Sequence, residues 1–537
     1  MLCTTCKGSQ DVVDLSQLQY RRPECINESV ICTVCSRLET MEKKIGETVK
    51  QLKNLLLQHQ KMKTEANNVH SPFIRKLPVE MVSKIFQLCL EDHSNSSTTE
   101  RIYAQVLMPL KLGAVCQTWR QIAWSLPELW THIVLERCPT THLLEHYLII
   151  EEWIPRSRSL PVSIYVSEDE DVIRAGEGFW KMCLQLLAQC ADRWQSITID
   201  VRTQSLKYLF QEMKHPPPVH AIHLRCDDWA QDSDEHGTRT SQPWGTPRLM
   251  PQLISLSGVF LEQLNMHWKE VTNLNVEYWS SYDCVKVLKL APRLESCQFT
   301  YMAGKDEQII GTRHSTSTVI HSSLRNLSFE SQGLCCEFLN ALTLPNLTNF
   351  LYTISYAHSS RMEHDTSLLP FIERSSCPLT YMDISTGTIA PDDLLALIYT
   401  VPSLVHLRLR ASRGENIDFE RQKAHAFLKH FAVSAKMTCS LEQVADGSHL
   451  FLPHMESLEY EVHFEFPWEY SPDIFGVPSS FGSTNKRPLK SFIVTQTVSS
   501  SQMISKDIVY QILEFRAVGA VIEYRVLGYD VFKYLRY

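Results

Sequence analysis

The chain has 537 residues, 44% of them hydrophobic and 21% charged, with a formal net charge of −8. That balance supports a buried core rather than a disordered chain, and it argues against nucleic-acid binding through a basic surface. No apolar run approaches the roughly 18 residues of a membrane span, and the opening MLCTTCKGSQDVVD lacks the basic-then-apolar order of a secretory signal.

The chain carries 17 cysteines. An odd number without a signal fits thiols in a reducing compartment, so an intracellular, cytoplasmic or nuclear protein is expected. Within residues 1–36, Cys3, Cys6, Cys32 and Cys35 form two C-x-x-C pairs. Four thiolates in two such pairs are the ligand set of a tetrahedral structural zinc. The other reading is two unconnected pairs. No other cofactor is expected.

Residues 37–70 read as a heptad helix. Its seam is Leu38, Met41, Ile45, Thr48, Leu52, Leu55, His59 and Met62, spaced alternately by three and four residues, with Lys and Glu on the flanks. The seam points either to a homodimer through residues 38–62 or to a helix laid on the chain's own surface. Ser71-Pro72 ends the helix, because Pro biases the residue before it away from αR.

A helical segment follows, within residues 71–135. Pro78 suits a first helical turn, where its missing N–H costs nothing. Met81, Val82, Ile85, Phe86 and Cys89 then recur at helical spacing. Residues 91–101 (EDHSNSSTTER) are polar and aperiodic, and read as a loop. Leu112, Val115, Cys116, Trp119, Ile122 and Ala123 form a second stripe, read as one helical face ending at Leu126-Pro127. A pair of amphipathic helices this small has little core of its own, so it is expected to pack against something else.

Here the chain resembles the F-box family. The likeness rests on Leu77-Pro78-x-Glu80, Ile85-Phe86 and the closing Val115-Cys116-x-x-Trp119-Arg120. The upstream heptad helix, the SPFIRKLPVEM junction, LPELWTHIVL and EEWIPRSRSLPVSIYVS are similar to a large basidiomycete-type subgroup of that family. The resemblance implies binding to the Skp adaptor of SCF-type ubiquitin ligases and, through it, to a cullin. It also implies that Leu77, Pro78, Ile85, Phe86, Leu112, Val115 and Trp119 include adaptor-facing or F-box-core residues.

From Trp194 an apolar-x-x-apolar-x-apolar pattern recurs. Its copies start at Trp194, Val219, Leu261, Leu294, Leu324, Leu347, Leu379, Leu404, Met455 and Leu489. Several follow a proline: Pro292, Pro345, Pro378, Pro402, Pro453 and Pro488. Helical stretches such as CVKVLKL and DDLLALIYT precede two of them. Units of helix, turn and short strand must stack to bury their apolar sides. The pattern resembles an irregular leucine-rich-repeat solenoid with a parallel sheet, spanning residues 136–537. An ordinary α/β domain is the other reading. Residues 227–247 (DDWAQDSDEHGTRTSQPWGTP) read as a solvated insertion, and the stretch from Leu489 to VIEYRV as a cap. The expected fold class is thus α/β, an N-terminal helical F-box followed by this solenoid.

No phosphate-binding glycine loop, H-E-x-x-H or G-x-S-x-G occurs. The chain is therefore expected to be no enzyme. The expected role is the substrate-recognition subunit of an SCF-type ligase, with an unknown target protein on the repeats. The alternative is an interaction scaffold with the same docking element outside any ligase.

Overall fold

In the computed structural model the described residues are 32–70, 77–91, 98–136, 143–168, 177–213, 216–226, 248–302, 318–331, 333, 335–354, 365–412, 417–437, 451–476, 478, 481, 487–497 and 502–533. Cys3, Cys6, Ser71, Pro72 and the 227–247 insertion lie outside them. The fold is mixed α/β, with fourteen helices and one large, mostly parallel sheet among the described residues. The chain divides into two compact units, Met1–Leu129 and Trp130–Tyr537.

The first unit is helical: α1 (Thr33–His70), α2 (Val79–Glu91), α3 (Thr98–Val115) and α4 (Gln117–Ser125). The 38 residues of α1 rise about 57 Å at 1.5 Å each. Its apolar residues Val34, Leu38, Met41, Leu52, Leu55 and Met62 are all exposed.

Two expectations need correcting in this unit. The polar stretch 91–101 is not wholly loop, since α3 begins at Thr98. The stripe from Leu112 to Ala123 is not one helical face. It breaks at Cys116, which takes extended backbone (φ −159°, ψ 171°). The Cys116 sulfur accepts a hydrogen bond from the Trp119 N–H at 3.5 Å and so caps α4. A new helix begins there with its own phase. Gly113 lets α4 approach α3, and Arg120 Nε donates to the Gly113 carbonyl at 2.9 Å.

The second unit is built on strands β1 (His132–Glu136), β2 (Val162–Ser167), β3 (Trp194–Asp200), β4 (Ala221–Arg225), β5 (Leu253–Ser257), β6 (Asn273–Glu277) and β7 (Ser296–Met302). Two-residue strands β8 (Val319–Ile320) and β10 (Leu342–Thr343) pair only with each other. The main sheet continues through β9 (Asn326–Ser331), β11 (Asn349–Ile354), β12 (Tyr381–Ser385), β13 (His406–Arg410), β14 (Ser457–Val462), β15 (Ser491–Gln496), β16 (Val521–Val526) and β17 (Tyr529–Asp530). Its fifteen strands lie in chain order, parallel except for β17.

The register explains the recurring pattern. Ile133, Ile164, Ile197, Ile222, Ile254, Leu274 and Cys297 stand side by side across β1 to β7. Leu327, Phe350, Met382, Leu407, Leu458, Phe492 and Ile522 continue that row to β16. Every member is buried. Burying one such side chain contributes about 1.5–3 kcal/mol, and a one-residue slip would turn the row outward. The first apolar position of most copies, such as Leu324, Leu347 or Leu404, is buried just before its strand, whereas Trp194 is the first residue of β3.

The copy at Leu261 is a further correction. Leu261 and Leu264 are buried but lie in a turn, where the Gln263 side chain accepts from the Phe260 N–H at 2.8 Å. Met266 makes only an isolated bridge to Leu249. The strands in this stretch are β5 and β6. The segment VTNLNV at Val271 carries the same spacing, and PQLISL carries it with Pro251 in the first place. The unit therefore closes some connections without a helix; only a 3₁₀ turn (Trp268–Glu270) lies between β5 and β6.

Candidate interaction surfaces

In the helical unit the start of α2 and the length of α4 enclose a groove of about 440 Å³. Leu77, Val79 and Val82 form one wall, and Thr118, Trp119, Gln121, Ile122 and Ser125 the other. The Pro78 carbonyl accepts from the Met81 and Val82 N–H groups at 3.0 and 3.2 Å, which starts α2 directly after Leu77. Trp119 meets Phe86 edge to face, with centroids 5.0 Å apart.

The structure separates the seven expected residues by role. Phe86 and Leu112 are core, at 1% and 7% exposure. Leu77 and Trp119 are half-buried and line the groove. Pro78, Ile85 and Val115 face outward, Ile85 at 38% and Val115 at 58%. Met81, Ile85 and Leu88 lie at i, i+4 and i+7 on one exposed face of α2. The apolar stripes do not name Val79, Thr118, Gln121 or Ser125; the last three reach the groove through the break at Cys116, and Val79 through the start of α2 after Pro78.

Cys32 lies just before α1 and Cys35 within its first turn. Among the described residues no group of three or more His, Cys, Asp or Glu side chains is placed to hold a metal. Twelve described cysteines are thiols, and burial pushes the Cys335 thiol up to about 12 and those of Cys183 and Cys377 to about 11.

In the second unit, strand residues that alternate with the buried row form the open face of the sheet. Thr198, His223, Ser255, Asn275, Gln298 and Ser328 stand in register from β3 to β9. This row is uncharged, and its members from Thr198 to Gln298 line a trough of about 380 Å³ spanning β3 to β7, with Asp200, Arg225 and Glu277 two residues farther along their strands on the same face. Partial burial between the trough walls lowers the His223 pKa below the usual imidazole value, against the upward pull of Asp200 and Glu277.

Farther along, the same face becomes charged. Arg410 donates to the buried Asp383 at 2.5 Å, and Arg408 to Glu461 at 3.3 Å with Glu459 3.6 Å away. Behind this region, buried Lys423 bonds Glu420 at 2.7 Å and the Thr386 carbonyl at 2.5 Å, while the Thr386 hydroxyl donates to Glu420 at 2.6 Å. That triad satisfies both buried charges, so it holds the helix Ile417–Met437 to β12 rather than offering a reactive group.

Among the described residues no helix is long and apolar enough to cross a membrane. No family model matches the chain, and no curated protein matches it.

Proposed function

We propose that this chain is the substrate-recognition subunit of an SCF-type ubiquitin ligase. In this reading residues 71–135 are an F-box-like domain that binds a Skp-type adaptor, and the sheet that follows is a leucine-rich-repeat-like solenoid that binds a target protein. The observation that carries the reading is the division of labour in the helical unit. Phe86 and Leu112 fill its core, while Met81, Ile85, Leu88 and Val115 remain exposed near a groove containing Leu77 and Trp119. Chain-order parallel pairing and the unbroken buried row support the repeat reading.

The work of such a subunit is positional. Holding a target lysine near a loaded conjugating enzyme raises its effective concentration, and no side chain of this chain needs to touch the reacting bond. The test is co-purification of the full-length chain with Skp adaptor and cullin. Ile85→Asp and Val115→Asp place charges at exposed positions, so the fold should survive and adaptor capture should be lost. Capture undiminished by both substitutions, or no capture by the wild type, would refute the assignment. Adaptor without cullin would instead indicate a scaffold outside any ligase.

A further inference from the structure

The apolar seam of α1 runs past the ends of the 38–62 heptads. Continuing the same three-and-four spacing reaches Val34 on one side and Ala66 and Val69 on the other. The seam thus spans nearly all of the helix Thr33–His70, and its large apolar members are exposed along that length apart from the half-buried Ile45. A repeat of 3.5 residues cannot follow a straight surface for five heptads. It needs a partner helix with the same repeat, so that both can wind together. Five heptads supply about twenty seam and flank positions per helix, matching the roughly 20–30 residues per side of a stable interface.

We propose that α1 pairs with α1 of a second copy as an antiparallel two-stranded coiled coil. The direction follows from layer chemistry. In a parallel, in-register pair, Thr48 would face Thr48 and His59 would face His59, giving two polar layers inside the seam. Antiparallel pairing centred near residue 50 sets Thr48 against Leu52, His59 against Met41, Ile45 against Leu55 and Leu38 against Met62. Each polar seam residue then packs on an apolar one. The flanks allow this direction without deciding it, since a parallel pair would also form an ion pair, Arg37 with Glu42. Arg37 on one helix comes opposite Glu65 on the other at both ends, and Val49 meets its own symmetry mate at the centre. In a parallel pair Val49 would instead lie against Lys44. Gly46 falls on the outer side of the helix, away from the seam, and a methyl group there would meet nothing within 4 Å.

The experiment uses the full-length chain. Sedimentation equilibrium at micromolar concentration should give twice the monomer mass. Leu52→Lys/Leu55→Lys should give the monomer mass with far-ultraviolet circular dichroism showing the second unit still folded. A photo-cross-linking residue in place of Met62 should join two chains, with the adduct mapped by mass spectrometry to the region of Leu38. Adducts mapping back to position 62 would overturn the antiparallel direction. A monomeric wild type, or a variant that still dimerises, would overturn the pairing itself. Adaptor capture is read separately, so failure here leaves the ligase assignment standing.

Discussion

Replacing Gly113 with alanine sets two effects of opposite sign against each other. Alanine is the better helix former by about 0.8–1.0 kcal/mol in a helix interior. Against that, an alanine methyl at this position would overlap Trp124 Cζ3 and lie 2.5 Å from Cη2 and 3.2 Å from Cε3. Carbon atoms in contact prefer 3.5–4.0 Å, so α4 or its indole would have to retreat by roughly an ångström. Overpacking of this kind costs about 1–3 kcal/mol. The hydrogen bond from Arg120 Nε to the Gly113 carbonyl would be stretched by the same movement. With about 0.5–1 kcal/mol for the weakened hydrogen bond, the expected net loss is about 0.5–3 kcal/mol, a factor of roughly 2–150 in the local opening constant. Peptide-resolved hydrogen exchange on the full-length chain reads this directly. Amides of residues 107–125 should exchange faster by that factor, with those of β1 to β16 unchanged. Equal or slower exchange in 107–125 would refute the close approach of the two helices.

Three further outcomes follow from other elements. Gly46→Ala, at an exposed and uncrowded helix position, should stabilise α1 by about 0.5–1 kcal/mol, measured as added protection of 40–52 in hydrogen exchange. Leu527 and Gly528 make the two-residue hairpin between β16 and β17, both with positive φ (51° and 87°). Leu527→Asn suits that conformation better, and should raise the midpoint of chemical unfolding by the equivalent of roughly 0.5–1 kcal/mol. The buried thiols of Cys183, Cys335 and Cys377 keep their protons to about 11, 12 and 11, above the ordinary 9.0. The unfolded chain then binds fewer protons than the native one, so stability falls as pH rises from about 9 towards 11, by about 1.4 kcal/mol per unit per thiol. At pH 8 iodoacetamide should modify Cys89 and Cys116 well before these three, as read by mass spectrometry.

The sheet was legible wherever burial and strand coincided. At Leu294, Leu324, Leu347, Leu379, Leu404, Met455 and Leu489 the apolar spacing marks a pre-strand residue and two inward strand residues, and β7, β9 and β11 to β15 follow. At Leu261 the same spacing reports only burial, because Gln263 closes a turn with Phe260. The strands beside it begin their patterns at Pro251, where proline takes the first apolar place, and at Val271, which meets the pattern in full. The β16–β17 hairpin was hidden for a different reason. Its turn is Leu-Gly, and the usual Asn or Asp signal is missing. In the helical unit the residues of the surface were legible but their sorting was not. A single stripe through 112–123 puts Val115 and Trp119 together, whereas the Cys116 cap resets the phase, leaving Val115 outside and Trp119 in the groove.

Strict chain-order pairing has a consequence for how the second unit is made. A strand leaving the ribosome finds its template already laid down by the strand before it. Long-range searching, the slow step for parallel sheets in general, shrinks to the span of one connection. The growing edge is also an exposed edge that a nascent chain would offer to its neighbours on a polysome. β17 turns back antiparallel on β16, with Asp530 accepting from the N–H groups of Tyr524 and Phe532 and from Arg516. The β16–β17 hairpin therefore covers this edge at Arg525 and Val526, and a chain halted before residue 529 would leave that stretch open.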